Sequence, residues 1–219
     1  MKNKKVLISG GTHGIGLEIA KILAKNKFDI SFFSRSKKNI TKTLNTLKKY
    51  NVKTYAEQVD ALNLDEIENF FKNVKKNFGE IDILINNVGG GGSWGSEFIE
   101  ETNYKVWSEV NTKNVGAAIK LITLSVPSMK RKKWGRVISI ASISAKKGVG
   151  RPWYVLSKKS EVVLTKTLSV KRDLVRNGIT FNTLSPGAIM IPDTGWDQRK
   201  KENPKKFKEL LNAKFPMGR

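Results

Sequence analysis

The sequence of 219 residues contains no cysteine and a single histidine, His13. The first absence excludes a disulfide framework, a thiolate nucleophile and any cysteine-based metal site. The second excludes a multi-histidine metal cluster, so metal-centred chemistry is not expected. Proline is sparse, at 6 residues, and no Pro- or Ser-rich linker interrupts the chain. One domain spanning 1–219 is therefore expected, long enough to bury a substantial core without staples. No apolar run approaches the roughly 18 residues that a membrane span requires. The run Val6-Leu7-Ile8 near the start is too short for a signal-peptide core, and the expected setting is the cytoplasm. Acids are also scarce: 19 Asp+Glu against 41 Lys+Arg leave a formal charge of +22. Such a field attracts polyanions. The basic residues are nevertheless scattered through amphipathic stretches, as at Lys48-Lys49, Lys75-Lys76, Lys200-Lys201 and Lys205-Lys206, and no aromatic-interleaved recognition module stands among them. Nucleic acid is thus not an expected partner, and most of the charge reads as solvated helix faces. Only Met129 to Arg136 is densely basic, a candidate contact for an acidic carrier protein or nucleotide-sugar.

What is present is a regular alternation. Short apolar or β-branched runs fall at Val6–Ser9, Ile30–Phe33, Lys53–Val59, Ile81–Ile85, Arg136–Ile140 and Ile179–Thr183. Between them, apolar residues recur at three- and four-residue intervals, as in Leu17/Ala20/Ile22/Leu23 and Ile67/Phe70/Phe71/Val74, which is helical spacing. Repeated β-α units of this kind predict a doubly wound, Rossmann-like parallel sheet of six strands in a three-layer α/β/α arrangement. A ligand then belongs at the carboxyl ends of the strands, among the loops after Ser9, Phe33, Val59, Ile85, Ile140 and Leu184.

Directly after the first run stands Ser9-Gly10-Gly11-Thr12-His13-Gly14-Ile15-Gly16, leading into a helix expected to begin near Leu17. Glycines permit a tight turn and close approach of a phosphate, and the helix amino end offers unpaired N–H groups. Further on come Asp60-Ala61-Leu62 after the third run, Asn86-Asn87-Val88-Gly89 after the fourth, Asn114, Ser142, Tyr154-x-x-x-Lys158, and Pro186-Gly187 after the sixth. In this order the motifs resemble those of the short-chain dehydrogenases/reductases, of the 3-oxoacyl-carrier-protein reductase kind. Ser9 stands where that family usually has Thr, and Val88 where it usually has Ala. The resemblance implies a hydride-transferring oxidoreductase on carbonyl or alcohol substrates. It implies that Ser9, Gly10, Thr12, Gly14, Ile15 and Gly16 cradle a dinucleotide, that Asp60, Ala61 and Leu62 border its adenine, and that Asn87, Val88 and Gly89 line the ribose side. Pro186, Gly187 and Ile189 complete the cofactor contacts.

Cofactor choice follows from charge. A site for NAD usually ends its second strand in an acid that binds the ribose 2′-hydroxyl. Here that position reads Phe33-Ser34-Arg35-Ser36-Lys37-Lys38, with donors and positive charge suited to a 2′-phosphate. NADP(H) is the expected cofactor, with Arg35 its main discriminating contact. His13, just before Gly14, reads either as a second contact or as an exposed loop residue.

Tyr154 and Lys158 lie four residues apart in a stretch expected to be helical from Trp153 to Val175, so both project from one face. A free phenol is a weak base near neutrality, and a nearby ammonium favours the phenolate. Lys158 is accordingly expected to lower the pKa of Tyr154. The resemblance also gives Lys158 the nicotinamide ribose, Ser142 the substrate carbonyl and Asn114 a water in the proton relay. Asn114 lies in a helical stretch from Trp107 to Met129, and Asn111 is the rejected neighbour. Taken singly, Ser142 also reads as a cap, Asn114 as a buried hydrogen-bonding residue, and Tyr-x-x-x-Lys as a common helical pair.

The substrate region carries fewer signals. Gly89 to Gly92 with Trp94 suggests a flexible loop, and Pro186 to Asp197 resembles the start of the family's substrate lid, expected near 188–213. Trp94, Trp153, Met190 and Trp196 read equally as pocket lining or as packing, and Arg151 as an anion contact. The family often has Thr near position 191, where this chain has Ile191, with Thr194 as its nearest substitute. Phe215 to Arg219 resembles a segment after which the family adds a further helix and strand. A truncated chain is therefore expected, and this is why six strands are. Homo-oligomers, dimeric or tetrameric, are common in the family and expected here. The different-class alternative is a non-catalytic NADP-binding or scaffold protein of the same fold.

Overall fold

The central strands divide their side chains between two faces, and both faces are apolar. In β1 (Lys5–Ser9), Val6 and Ile8 join one buried cluster while Leu7 joins another. In β4 (Ile83–Asn86), Ile83 and Ile85 side with the first and Leu84 with the second. Strands buried on both faces require helices on both sides. The computed structural model describes residues 3–96, 98–192, 194–215 and 217–218. Met1, Asp193, Pro216 and Arg219, named above within ranges, lie outside the described residues.

Six parallel strands have the order β3-β2-β1-β4-β5-β6, with β2 at Asp29–Ser34, β3 at Thr54–Gln58, β5 at Gly135–Ile140 and β6 at Ile179–Leu184. This is the expected doubly wound topology. Helices α1 (Gly14–Lys25) and α2 (Lys37–Lys48) supply Ala20, Ala24, Ile40 and Leu47 to one cluster. On the other face α3 (Leu64–Asn77) supplies Ile67, Phe70, Phe71 and Val74. Asn63 caps α3 by accepting from the N–H groups of Asp65 and Glu66, as an Asn before an apolar-periodic run should.

The expected helix over 107–129 is three pieces: α4 (Tyr104–Asn111), a π-helical turn at Thr112–Gly116, and α5 (Ala117–Arg131). The expected helix over 153–175 is two, because Lys171 takes an extended backbone (φ −69°, ψ 116°) between α7 (Pro152–Ser169) and α8 (Arg172–Val175). A short α6 (Ser144–Lys147) precedes α7. Helix α1 starts at Gly14, earlier than the first apolar residues indicate, because the glycine turn itself forms its first turn. Among the described residues no helix is long and apolar enough to cross a membrane.

The chain divides into two units, Met1–Ser185 and Pro186–Arg219. The second holds α9 (Gly195–Glu202) and α10 (Pro204–Lys214). There Trp196 meets the rings of Phe207 and Phe215 edge-on, each at 5.9 Å. Ala188, Ile189, Met190, Trp196 and Leu211 line a cavity of about 470 Å³ within that unit.

The basic cluster 129–136 serves the amino ends of the strands, opposite the carboxyl ends where a ligand belongs. Lys130 pairs with Asp173 at 2.7 Å, Arg131 with Glu80, and Lys132 with Asp82 at 2.6 Å. Arg136 donates to the carbonyls of Gly135 and Gly178. Burial pushes the Asp82 carboxyl up, but the hydrogen bonds from Lys132 and the Lys5 N–H, with the charges of Lys132 and Lys4, outweigh it and hold it below its ordinary range. Its stabilisation is thus present at neutral pH and lost as pH falls through its lowered pKa. Asp82→Asn should cost about 1–3 kcal/mol at pH 7, and the gap from the unaltered protein should close below about pH 4. Thermal denaturation across pH checks both.

Candidate active site

The neighbours of β1 depart in opposite directions, β2 on one side and β4 on the other, which opens a crevice at their carboxyl ends. Ser9 fastens its floor. Its Oγ accepts from the N–H groups of Asn87 and Val88, both at 2.9 Å, and donates to the Ile85 carbonyl. Asn87 Nδ2 donates in return to the carbonyls of Ser9 and Gly10, each at 3.0 Å. Gly10 sits at φ +72°, and a side chain there would press on Val88 at 2.9 Å. At Gly16 a Cβ would stand 2.2 Å from the Gly10 carbonyl oxygen, so only glycine lets α1 approach the turn this closely. His13 occupies the N-cap position of α1 in extended conformation, without a side-chain cap. The first turn of α1, at Gly14, Ile15 and Gly16, therefore carries N–H groups suited to an anion.

Beside this turn lies a cavity of about 310 Å³. Gly10, Thr12, His13, Arg35, Asp60, Ala61, Asn87, Val88 and Gly89 line it, all of them expected at the cofactor. Leu62 is not among its lining residues; its N–H instead donates to Asp60 Oδ1 at 3.0 Å. Thr12 Oγ1 donates to Ser34 Oγ at 2.8 Å, tying the glycine turn to the end of β2.

One wall residue escaped the sequence reading. Lys113, in the π-helical turn, joins the cavity lining with its Nζ 4.7 Å from the centre of the Trp94 ring. Burial lowers its pKa, and the charges of Arg35 and Lys158 lower it further against the opposing pull of Asp60. A lysine in an amphipathic helix reads as solvated. The only signal was its place next to Asn114, and the wider turn is what points it inward.

The expected catalytic residues converge on the carboxyl end of β5. Ser142 accepts from the Ser144 N–H at 3.1 Å, so it does act as a local turn residue, and its hydroxyl acts to lower the pKa of Tyr154. Asn114 is buried: Oδ1 accepts from the Gly90 N–H at 3.0 Å, and Nδ2 donates to Gly90, Val110 and Ser157. Asn111 is exposed. A π-helical turn of this sort often marks a functional position, and here it brings Asn114 against the loop after β4.

The relation between Tyr154 and Lys158 differs from the expected one. Burial raises the phenol's pKa, the Ser142 hydrogen bond lowers it, and the negative charge of Glu161 raises it, with a net upward shift. The Lys158 Nζ is turned to the Ile140 carbonyl at 3.0 Å and to both carboxylate oxygens of Glu161, at 2.9 and 3.0 Å. Glu161 was also missed, since an acid three residues after a lysine reads as an ordinary surface pair. Here both side chains are buried.

The glycine loop 89–92 is pinned. Asn114 holds Gly90, Trp153 Nε1 donates to the Gly91 carbonyl at 3.1 Å, and a Cβ at Gly91 would collide with Val110 at 2.3 Å. Trp153 is packing: it is 1% exposed and meets Trp107 edge-on at 5.5 Å. Arg151 places its guanidinium over the Trp153 ring at 6.0 Å. Pro186, Gly187, Ile189 and Thr194 belong to the second unit, where the Thr194 hydroxyl donates to the Ile191 carbonyl.

Comparison with known proteins decides the family. The model of the short chain dehydrogenase family matches residues 4–203. The chain belongs to that family. The 3-oxoacyl-(acyl-carrier-protein) reductase FabG of Staphylococcus epidermidis is 30% identical over 190 residues, covering 86% of this chain and 76% of that relative. L-sorbose reductase from Gluconobacter frateurii, solved with NADPH and L-sorbose, matches with TM-score 0.89 at 28% identity, covering 100% of this chain and 84% of that one. A xylitol dehydrogenase solved with NAD+ shares the fold at TM-score 0.88 and 24% identity, over 100% of this chain and 86% of its own.

Within this family member the turn should tolerate no added methyl at its tightest point. Gly16→Ala is expected to destabilise by about 1–3 kcal/mol, because it meets backbone that cannot move without shifting Asn87. Chemical denaturation followed by circular dichroism measures this.

Proposed function

We propose that this chain is an NADP(H)-dependent oxidoreductase that interconverts a carbonyl and an alcohol, with Tyr154 as proton donor and acceptor. The observation that carries the reading is the anchoring of α7, which bears Tyr154 and Lys158, to the carboxyl end of β5 through Lys158 Nζ and the Ile140 carbonyl at 3.0 Å, two residues before Ser142 and across Gly89 from the cationic cavity. A Cβ at Gly89 would stand 2.8 Å from Lys158 Nζ and 2.9 Å from Asn114 Oδ1, so the loop that lines the cavity also touches the catalytic candidates.

The chain's residues fit a phosphorylated dinucleotide. The Gly10–Gly16 turn and the first turn of α1 suit the pyrophosphate. Arg35 and Lys113 give the cavity two cations close enough for one to disfavour the other's charge. A 2′-phosphate beside them would relieve that repulsion, whereas a carboxylate selecting a free ribose hydroxyl is absent from the end of β2. When bound, the cofactor supplies or accepts the hydride. Ser142 orients the substrate oxygen and stabilises charge developing on it. Tyr154 donates its proton to that oxygen in reduction and recovers it in oxidation. Lys158 lies one helical turn beyond, and Asn114 fixes the loop between them.

For substrate we favour a carbonyl on an acyl-carrier thioester or a ketose-like polyol, the classes named for the relatives above. The cytoplasm is the setting that suits such a reductase. Ile119 on α5 and Leu156 and Val163 on α7 are exposed apolar residues, which supports a homo-oligomer built on those helices.

NADPH oxidation across a panel of 3-oxoacyl thioesters and ketoses tests the activity. Tyr154→Phe should lower turnover by about 10²–10⁴-fold, the usual worth of a positioned acid, while NADPH affinity stays within twofold. Equal rates in this variant would overturn the assignment, and binding without turnover of any panel member would favour a non-catalytic NADP-binding protein. Arg35→Asp and Lys113→Met should each weaken NADPH about tenfold or more, corresponding to roughly 1.4 kcal/mol, and leave NADH nearly unchanged. Fluorescence titration reads both affinities.

A further inference from the structure

Glu161 has no part in the mechanism above, yet it is among the most deeply buried charged side chains of the chain. Its residue is 3% exposed, on the inner face of α7, one turn beyond Lys158. Both of its oxygens lie within hydrogen-bond distance of Lys158 Nζ, at 2.9 and 3.0 Å, and the remaining partner of that ammonium is the Ile140 carbonyl at 3.0 Å. Taking a carboxylate out of water costs several kcal/mol unless a partner compensates, and a buried ion pair is weak evidence for stability as such. The position of this pair gives it another use, since it lies one turn from the phenol that must hold and release a proton.

Resting on the reading of Tyr154 as the proton-transfer residue, we propose that Glu161 is a positioning residue that grips Lys158 and opposes its charge, keeping Tyr154 in its protonated, proton-donating form over a wider pH range. The electrostatics agree with the geometry. Glu161 acts on Tyr154 as a nearby negative charge and raises its pKa. Burial in turn raises the carboxyl of Glu161 to about 7 against the lowering effect of Lys158. Above neutrality, where a tyrosine would ionise, Glu161 is therefore charged and resists that ionisation. The charged and titratable groups facing the pair, among the described residues, are Tyr154 on the same helix and Lys113 from the π-helical turn, whose pKa is itself lowered in part by Lys158. The neutral partner of the pair comes from β5, through the Ile140 carbonyl.

Tyrosinate absorbance gives a readout free of cofactor and substrate. The chain has 4 tyrosines, and subtracting the Tyr154→Phe curve in each background isolates one. In Glu161→Gln the Tyr154 midpoint should fall by about one pH unit or more, the size expected when a buried charge beside a titrating group is removed. Glu161→Asp, whose shorter side chain draws the carboxylate away from Lys158, should show a smaller fall and decides the matter if the first variant does not fold. Midpoints unchanged in both folded variants would overturn the proposal and leave the reductase reading standing. Conversely, a panel with no turnover would remove that reading without touching the titration. In the active enzyme the alkaline limb of kcat/KM for reduction should move to lower pH in Glu161→Gln, a displacement that mere loosening of α7 would not produce.

Discussion

A parallel sheet with both faces covered leaves only its ends for chemistry, and the hydrogen bonds of Ser9 and Asn87 fix one of those ends. The loops after β1 and β4 would otherwise separate, since the chain runs away from the sheet in opposite directions on leaving them. Ser9 Oγ satisfies two N–H groups of the β4 loop, and Asn87 returns two bonds to the β1 loop. The glycine turn, the cationic cavity and the loop that contacts Lys158 are all referenced to this joint. Satisfying these groups internally also removes the cost of buried, unpaired backbone where a ligand must exclude water.

The architecture was readable because parallel strands buried on both faces announce themselves as short apolar runs between helical periods. All six strands fall within two residues of the expected bounds at either end. The helical interruptions were less readable. A π-helical turn at Thr112–Gly116 preserves the apolar spacing on each side and shifts only the angle between them, so periodicity reports one long helix. That shift brings Lys113 to the cavity and buries Asn114 instead of Asn111. The packing role of Trp153 was equally hidden, because a tryptophan before the Tyr154-x-x-x-Lys158 pattern suits a pocket as well as a core. What separates the two is the Gly91 carbonyl that its indole N–H meets, on a loop distant in sequence.

Charge tells a similar story. In a chain with a formal net charge of +22, the carboxylates that matter most are not those facing solvent. Asp82 gathers Lys132 and the Lys5 N–H at the amino ends of the strands, and Glu161 engages Lys158 at the carboxyl ends. Much of the dense basic run 129–136 is thereby tied to the scaffold, where its charges hold strands together at the end of the sheet away from the ligand. Arg35 and Lys113, by contrast, come from distant parts of the sequence and line one cavity. Composition could report the excess but not this division.

The same ammonium can serve two masters, and which one it serves decides the character of the site. A Lys158 free to face the phenol would lower its pKa and make Tyr154 a ready base, suited to taking a proton from an alcohol. Here the ammonium is held by Glu161 and the Ile140 carbonyl, and burial with the charge of Glu161 raises the phenol's pKa against the Ser142 hydrogen bond. On the proposed reading, a protonated Tyr154 with Ser142 orienting the carbonyl is the arrangement that proton donation needs. Sequence spacing places phenol and amine on one helical face, and that much was legible; the direction in which the amine points depends on a buried acid one turn later. The local pattern thus names the candidate residues, while their charge balance depends on side chains that only the fold brings together.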